Sequence, residues 1–195
     1  MKREERISEA KTKARKFFEG KRANCAESVF KAIHAMVQSD LPAQVSALFT
    51  ALGGGVGIRG ENCGAMLAGV MALGLVHGRF DPAQGSLEEH RMHLWDTYGL
   101  YNQLPQRFVL KYGSLQCWDL TKPHVYGTKK CRDFCEGLVA ETAGMVMELL
   151  IEAEEKGLRF RFHRNLLSQA AEVTGLSPEE LIRLKAKGEP FPPDG

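Results

Sequence analysis

At 195 residues with 44% hydrophobic side chains, the chain is long enough to bury a core without disulfide staples. Its 26 Lys and Arg are mixed with 24 Asp and Glu, and apart from a locally basic stretch over the first 22 residues no stripe of one sign runs along it, which argues against nucleic acid as a partner. The longest apolar run, Ala65 to Val76, is too short to cross a bilayer, and the charged start Met1 to Ile7 is followed by no signal-type apolar stretch, so a cytoplasmic protein without membrane insertion is expected.

Almost every segment carries the helical period. Ile7, Ala10, Ala14, Phe17 and Phe18 mark a first amphipathic helix that ends at Gly20. Asn24 and Glu27 form a capping box that opens a second helix with the apolar face Val29, Phe30, Ile33, Met36 and Val37. A short helix is predicted from Pro42 to Leu52, followed by the glycine-dense turn Gly53 to Gly60. Asn62 then serves as N-cap for an apolar helix running from Cys63 to about His77.

Ser86 and Glu89 make another capping-box pair, for a helix carrying Leu87, Met92, Leu94 and Trp95 that Pro105 is expected to kink or break. Trp95, Tyr98 and Tyr101 follow a stripe that reads as core. Ser114 is a candidate cap for a short turn containing Cys117, with Tyr112 and Trp118 flanking it. A long helix is predicted from about Thr128 to Lys156, an amphipathic helix after Phe160, and a last one opened by Ser177-Pro-Glu-Glu. From Glu189 the chain reads as unstructured. The expected architecture is an all-α, single-domain helical bundle with a Gly-rich loop leading into a central helix. Within it, residues 1–157 form the cysteine-bearing part and 158–195 a C-terminal helical extension.

Five cysteines, Cys25, Cys63, Cys117, Cys131 and Cys135, carry the candidate chemistry. An odd number in a reducing compartment fits ligands, redox groups or buried packing better than a closed set of disulfides. Cys25 and Cys63 fall in first helical turns, as does Cys131 if Thr128 is the cap, where the helix dipole favours the thiolate. Cys131 and Cys135 share one face of the long helix, close enough for common ligation but not for an easy disulfide. There is no Cys-x-x-Cys. Whether the helix ends converge is not legible from spacing, because antiparallel neighbours alternate their ends.

The glycine loop before a helix N-terminus would also suit a phosphate, but it follows a helix rather than a strand and matches neither a dinucleotide fingerprint nor a P-loop. His90 and His93 are three apart and could share a metal, with His77 and His124 in nearby turns. Lacking a third fixed ligand, the pair reads as a solvated helix face.

The ordered series Asn24-Cys25-Ala26-Glu27, Gly53-Gly-Gly-Val-Gly57, Glu61-Asn-Cys63-Gly64-Ala65 with Gly69, Gly113-Ser-Leu-Gln-Cys117 and Cys131 resembles the redox-active family named for its cysteine pattern, C_GCAxxG_C_C. The likeness spans roughly Ala14 to Leu150. The label's Gly-Cys-Ala step is displaced here, since Asn62 precedes the cysteine and Gly64-Ala65 follow it.

The resemblance implies a small helical protein whose motif cysteines, Cys25, Cys63, Cys117 and Cys131, are redox active or hold a metal centre, leaving Cys135 as an additional thiol. Two chemistries fit. The four thiolates could bind zinc or an iron–sulfur cluster, with the amides of Gly53, Gly54, Gly55 and Gly57 donating to the bound group. Alternatively they form exchangeable disulfides without a cofactor, with Cys63 attacking and Cys25 resolving. Either chemistry calls for a redox partner protein, and the apolar C-terminal helices would permit a homodimer. The rival class is a helical interaction module whose cysteines are structural, with or without zinc. Whether the protein is an enzyme is left open at this point.

Overall fold

In the computed structural model, α6 (Lys129–Lys156) forms the axis against which α1 (Arg3–Glu19), α2 (Cys25–His34), α3 (Gly64–His77) and α4 (Leu87–Tyr112) pack. The structure describes residues 1–79, 81–163, 165–187 and 189, with Ala186 described by its backbone only. The expected unstructured C-terminal stretch therefore lies, apart from Glu189, outside the described residues. Among those residues the fold is all-α, and the extended pairing consists of an isolated bridge between Asn62 and Gln116.

Sequence patterning accounts for this arrangement. On α6, Leu138, Val139, Ala143, Val146, Met147 and Leu150 recur at helical spacing and are buried, so one long helix offers apolar surface to several neighbours. Ala10, Ala14 and Phe18 are the buried face of α1. Small residues at two of the three positions bring that helix close, and Arg6–Glu154 and Lys11–Glu141 ion pairs flank the seam. Helix α3 is apolar around most of its circumference because it is enclosed. A Cβ on Gly69 would stand 2.6 Å from Leu104 Cδ2 and 3.0 Å from Val146 Cγ2, so glycine permits α3 to wedge between α4 and α6.

The predicted caps are present at α2, α4 and α6: Asn24 with Glu27, Ser86 with Glu89, and Thr128 accepting from the Cys131 amide. Three expectations require correction. Helix α4 continues through Pro105 to Tyr112, since Leu100, Leu104 and Phe108 remain buried on both sides of the proline and packing offsets the lost backbone bond. Leu87, Met92 and Tyr98 are exposed, so the early part of α4 does not bury the stripe its composition suggested. The core-facing positions there are Thr97, Gly99 and Leu100. The short helix predicted after Pro42 is present as a 3-10 helix, Ala43–Leu52. After Phe160 the chain stays non-helical until α7 (Leu166–Thr174), because Arg161 O accepts from Gln103 Nε2 at 2.6 Å and the His163 amide donates to Asn102 Oδ1 at 2.7 Å, tethering the strand-like stretch to α4. Helix α8 (Pro178–Lys187) buries Leu181 and also contacts α4.

The glycine turn is the unusual element. Gly54, Gly55, Val56, Gly57 and Ile58 all have left-handed φ, between +61° and +69°. Such a run is accessible to glycine, but Val56 and Ile58 are β-branched, and each pays on the order of 1–2 kcal/mol there. The turn is held by bonds across its own length, Ile58 N to Gly53 O at 3.0 Å, Gly60 N to Gly54 O at 3.1 Å and Glu61 N to Gly55 O at 3.1 Å. Replacing Val56 with Asn, which tolerates the left-handed region, is expected to raise stability by about 1 kcal/mol, seen as a higher urea midpoint. A lower midpoint would show that the turn is not strained at this position.

Candidate functional site

The cysteines meet. A cavity of about 490 Å³ is lined by Cys25, Cys63, Cys117, Cys131 and Cys135 together with the glycine turn, Tyr126, Phe134 and Arg132. Four of these sulfurs come from helix starts: Cys25 is the first residue of α2, Cys63 the N-cap of α3, Cys117 the first residue of α5 (Cys117–Thr121), and Cys131 lies in the first turn of α6. Cys135 lies one turn further along α6.

Three local devices bring them together. Asn24 caps α2 through its Oδ1 and donates from Nδ2 to Thr50 O at 3.0 Å, fixing the end of the 3-10 helix beside Cys25. Gly64 then abuts the same place. A Cβ there would overlap the Leu52 carbonyl oxygen and lie 3.1 Å from Cys25 Sγ, so the residue after Cys63 must be glycine for α3 to start against α2. Finally, the chain around Cys63 pairs with the chain around Cys117. Cys63 N donates to Leu115 O and Cys117 N to Glu61 O, each at 2.7 Å, and Trp118 N donates to Gly60 O at 2.8 Å.

This pairing corrects two capping expectations. Asn62 is bridged to Gln116 and accepts from its side chain at 3.3 Å, so Cys63 itself is the N-cap of α3. Ser114 accepts from the Gln116 amide and donates to Asp119, while Gln116 precedes α5 as its cap.

The electrostatics depart from the expectation of easily ionised thiols. Burial, and after it the neighbouring Cys25, push the Cys63 thiol up to about 12 against the opposing effect of the Met66 and Ala65 amides. Cys117 is pushed up to about 11 by burial and by Cys25 and Cys131. Cys135 is raised by burial and by all four other cysteines. Cys25 is raised by burial too, but four backbone N–H groups, of Gly54, Ala26, Cys25 itself and Ala65, are directed at its sulfur and favour its thiolate. The helix-terminus effect is thus present, and desolvation exceeds it. The mutual influence of the cysteines also means that one thiolate disfavours the next.

Of the glycines expected to contact a bound group, Gly54 supplies one of the amides on Cys25, and Gly53 lies against Asn24. Gly55 is buried, where a Cβ would fall 2.6 Å from Cys117 Cβ and from Glu61 O, while Gly57 lines the cavity with open space around its Cα. Among the described residues no group of three or more His, Cys, Asp or Glu is arranged to hold a metal ion. The histidine pair is engaged elsewhere, His93 Nε2 lying 2.9 Å from His77 O and His90 Nε2 bonding Gln84 O.

Two site residues stand out from the structure. Cys135 was the additional thiol of the sequence pattern, yet it lines the same cavity; its i, i+4 relation to Cys131 was the available signal. Tyr126 sits at the mouth, its hydroxyl 2.9 Å from where a Gly54 Cβ would be, and nothing in the sequence distinguished it from other loop aromatics. Of the aromatics beside the Cys117 turn, Tyr112 is half-buried near Cys63, which helps raise its phenol to about 12 after burial and Glu141, while Trp118 faces outward.

The fold and the site define a small helical protein in which cysteines from several helix starts share one cavity. The chain belongs to the C_GCAxxG_C_C family, described as "Putative redox-active protein", whose profile matches residues 23–149. No curated protein and no solved structure matched it. No helix among the described residues is long and apolar enough to cross a membrane.

Two outcomes follow. Gly64→Ala is expected to cost about 1–3 kcal/mol in denaturant unfolding, because the neighbours are backbone and a buried sulfur that cannot yield freely. The thiol shifts add a pH dependence. Because Cys63 titrates near 12 when folded against 9.0 as an ordinary thiol, its contribution is fully present below about pH 9 and is lost as pH rises through 12. Iodoacetamide labelling of Cys63 in the native protein should therefore keep accelerating above pH 9, whereas labelling of the urea-unfolded chain levels off there.

Proposed function

We propose that the protein is a thiol–disulfide redox carrier in which Cys25 and Cys63 form the exchanging pair. The observation that carries this reading is the position of Cys25. Its sulfur lies against Gly64, the residue next to Cys63, and is the most amide-supported of the cysteines, and Cys25 as a residue is less fully covered than Cys63. Those features favour Cys25 as the attacking thiol and Cys63 as the resolving one, the reverse of the roles expected from the sequence. The attacking sulfur needs both access and a stabilised thiolate.

The exchange balances as follows. Cys25, having lost its proton, attacks one sulfur of a partner's disulfide; a Cys25–partner disulfide forms and the other partner sulfur leaves as thiolate and takes up a proton. Cys63, deprotonated in turn, attacks the Cys25 sulfur, forming Cys25–Cys63 and releasing the second partner thiol. Two protein thiols are oxidised and one partner disulfide is reduced, and the reverse direction uses the same steps. Cys117, Cys131 and Cys135 lie within reach of the same cavity as relay thiols. The closeness of the sulfurs also favours this chemistry, since a disulfide carries no charge where several thiolates would repel.

The first measurement is iron, zinc and acid-labile sulfide per chain on protein purified without oxygen, together with thiol counts before and after mild oxidation. The expected result is no stoichiometric metal and a loss of two thiols, mapped by mass spectrometry to Cys25 and Cys63 and abolished in Cys25→Ser. Iron with sulfide would replace this reading with a cluster on Cys25, Cys63, Cys117 and Cys131. Zinc alone, with no change in thiol count on oxidation, would favour an interaction module with structural cysteines.

A further inference from the structure

We infer that the partner is a protein segment presenting a cysteine among apolar residues, rather than a small anionic thiol, and that Ile58, Trp118, Val125 and Tyr126 form its docking rim; this rests on the thiol-exchange reading above. All five cysteines line the cavity, with Cys63 5%, Cys117 9% and Cys131 3% exposed and Cys25 and Cys135 half-buried. A partner sulfur must enter to react.

What the cavity can hold in place is set by its lining. Among the described residues that line it, Arg132 is the one charged side chain. Its guanidinium stands 4.5 Å over the Phe18 ring and donates to Phe18 O, so it is committed to tying α6 to α1. Small biological thiols such as glutathione carry carboxylates, and the lining provides no further cation to receive them. The remaining wall is Leu120, Phe134, Leu138, Ile58, Tyr126, glycines, cysteines and a few neutral polar groups.

The rim gives a second, independent observation. Ile58 is 68%, Trp118 69%, Val125 74% and Tyr126 55% exposed. The glycine turn and the segments packed on it carry them. The Tyr126 hydroxyl and Ile58 both press on Gly54, Val125 precedes Tyr126, and Trp118 packs on Gly60, where a Cβ would lie 3.2 Å from its own. Isolated exposed apolar residues need no explanation, but four gathered about one glycine turn, two of them lining the cavity, mark an interaction surface. The strained φ of Val56 and Ile58 points the same way, because the turn holds β-branched apolar side chains outward in a conformation that asparagine or glycine would adopt at lower cost.

The test uses the reduced full-length protein and two symmetrical disulfides, oxidised glutathione and the disulfide of a terminally blocked Phe-Cys-Leu peptide, following thiol release from each. The peptide disulfide is expected to react at least tenfold faster than glutathione disulfide. The ratio of the two rates should fall at least fivefold in Trp118→Ala and in Val125→Ser, exposed positions where the fold is not at risk. Equal rates, or glutathione reacting faster, would overturn the inference while leaving thiol exchange standing. A ratio that stays the same in both variants would remove the rim from recognition. Reaction of neither disulfide would remove the exchange reading and this inference with it. Concentration-dependent dimerisation in sedimentation that Trp118→Ala abolishes would assign the rim to a second copy of the chain and overturn the proposal.

Discussion

The contact of Gly64 with the Leu52 carbonyl and the Cys25 sulfur is the constraint on which the rest of the site depends. It sets how closely α3 begins beside α2, and so decides that Cys25 and Cys63 are neighbours. Once α3 is placed there, the chain leading into it must run past the Cys117 turn, and the paired backbone of residues 60–63 and 115–118 brings in the third sulfur. The apolar face of α6 supplies the remaining two, because the register that buries Leu138 and Val139 also turns Cys131 and Cys135 to the cavity. A single close approach, possible only without a Cβ, therefore links the packing of the bundle to its chemistry.

The glycine turn serves this approach at a cost. To leave the 3-10 helix and return to the start of α3 within a few residues, the backbone takes a left-handed path through residues 54–58, including Val56 and Ile58. The same path points the Gly54 amide at Cys25. Strain in the turn and amide support of the sulfur are two consequences of one geometry, in keeping with the tendency of strained backbone to gather at functional sites.

Electrostatically the cavity balances opposed effects. Amides at helix starts favour thiolate, burial and neighbouring sulfurs oppose it, and burial is the larger for Cys63, Cys117 and Cys25 alike. Cys25, Cys63, Cys117 and Cys135 are consequently held towards the neutral thiol. Its reactivity depends on which sulfur combines access with amide contacts, which is why Cys25 rather than Cys63 takes the leading role in the proposed exchange.

The sequence by itself determined the elements and their caps. Helical periodicity placed α1, α2, α3 and α6, and the Asn24, Ser86, Thr128 and Ser177 caps are local hydrogen bonds between residues three apart, which need no tertiary partner. Cys25, Cys63 and Cys131 were legible for the same reason, as positions at helix starts, whereas Cys117 joined them through the family pattern alone. Where local signals met packing they failed: Pro105 sits inside α4 because buried neighbours on both sides hold the helix, and Tyr98 faces outward because α4 meets its neighbours along Thr97, Gly99 and Leu100 instead. Only the tertiary structure decided that the sulfurs share a cavity, that Asn62 pairs with Gln116 instead of capping α3, and that burial outweighs the helix termini in setting the thiols. Each depends on contacts between residues tens of positions apart, and spacing along a chain carries no information about which helix ends converge or how deeply they are covered.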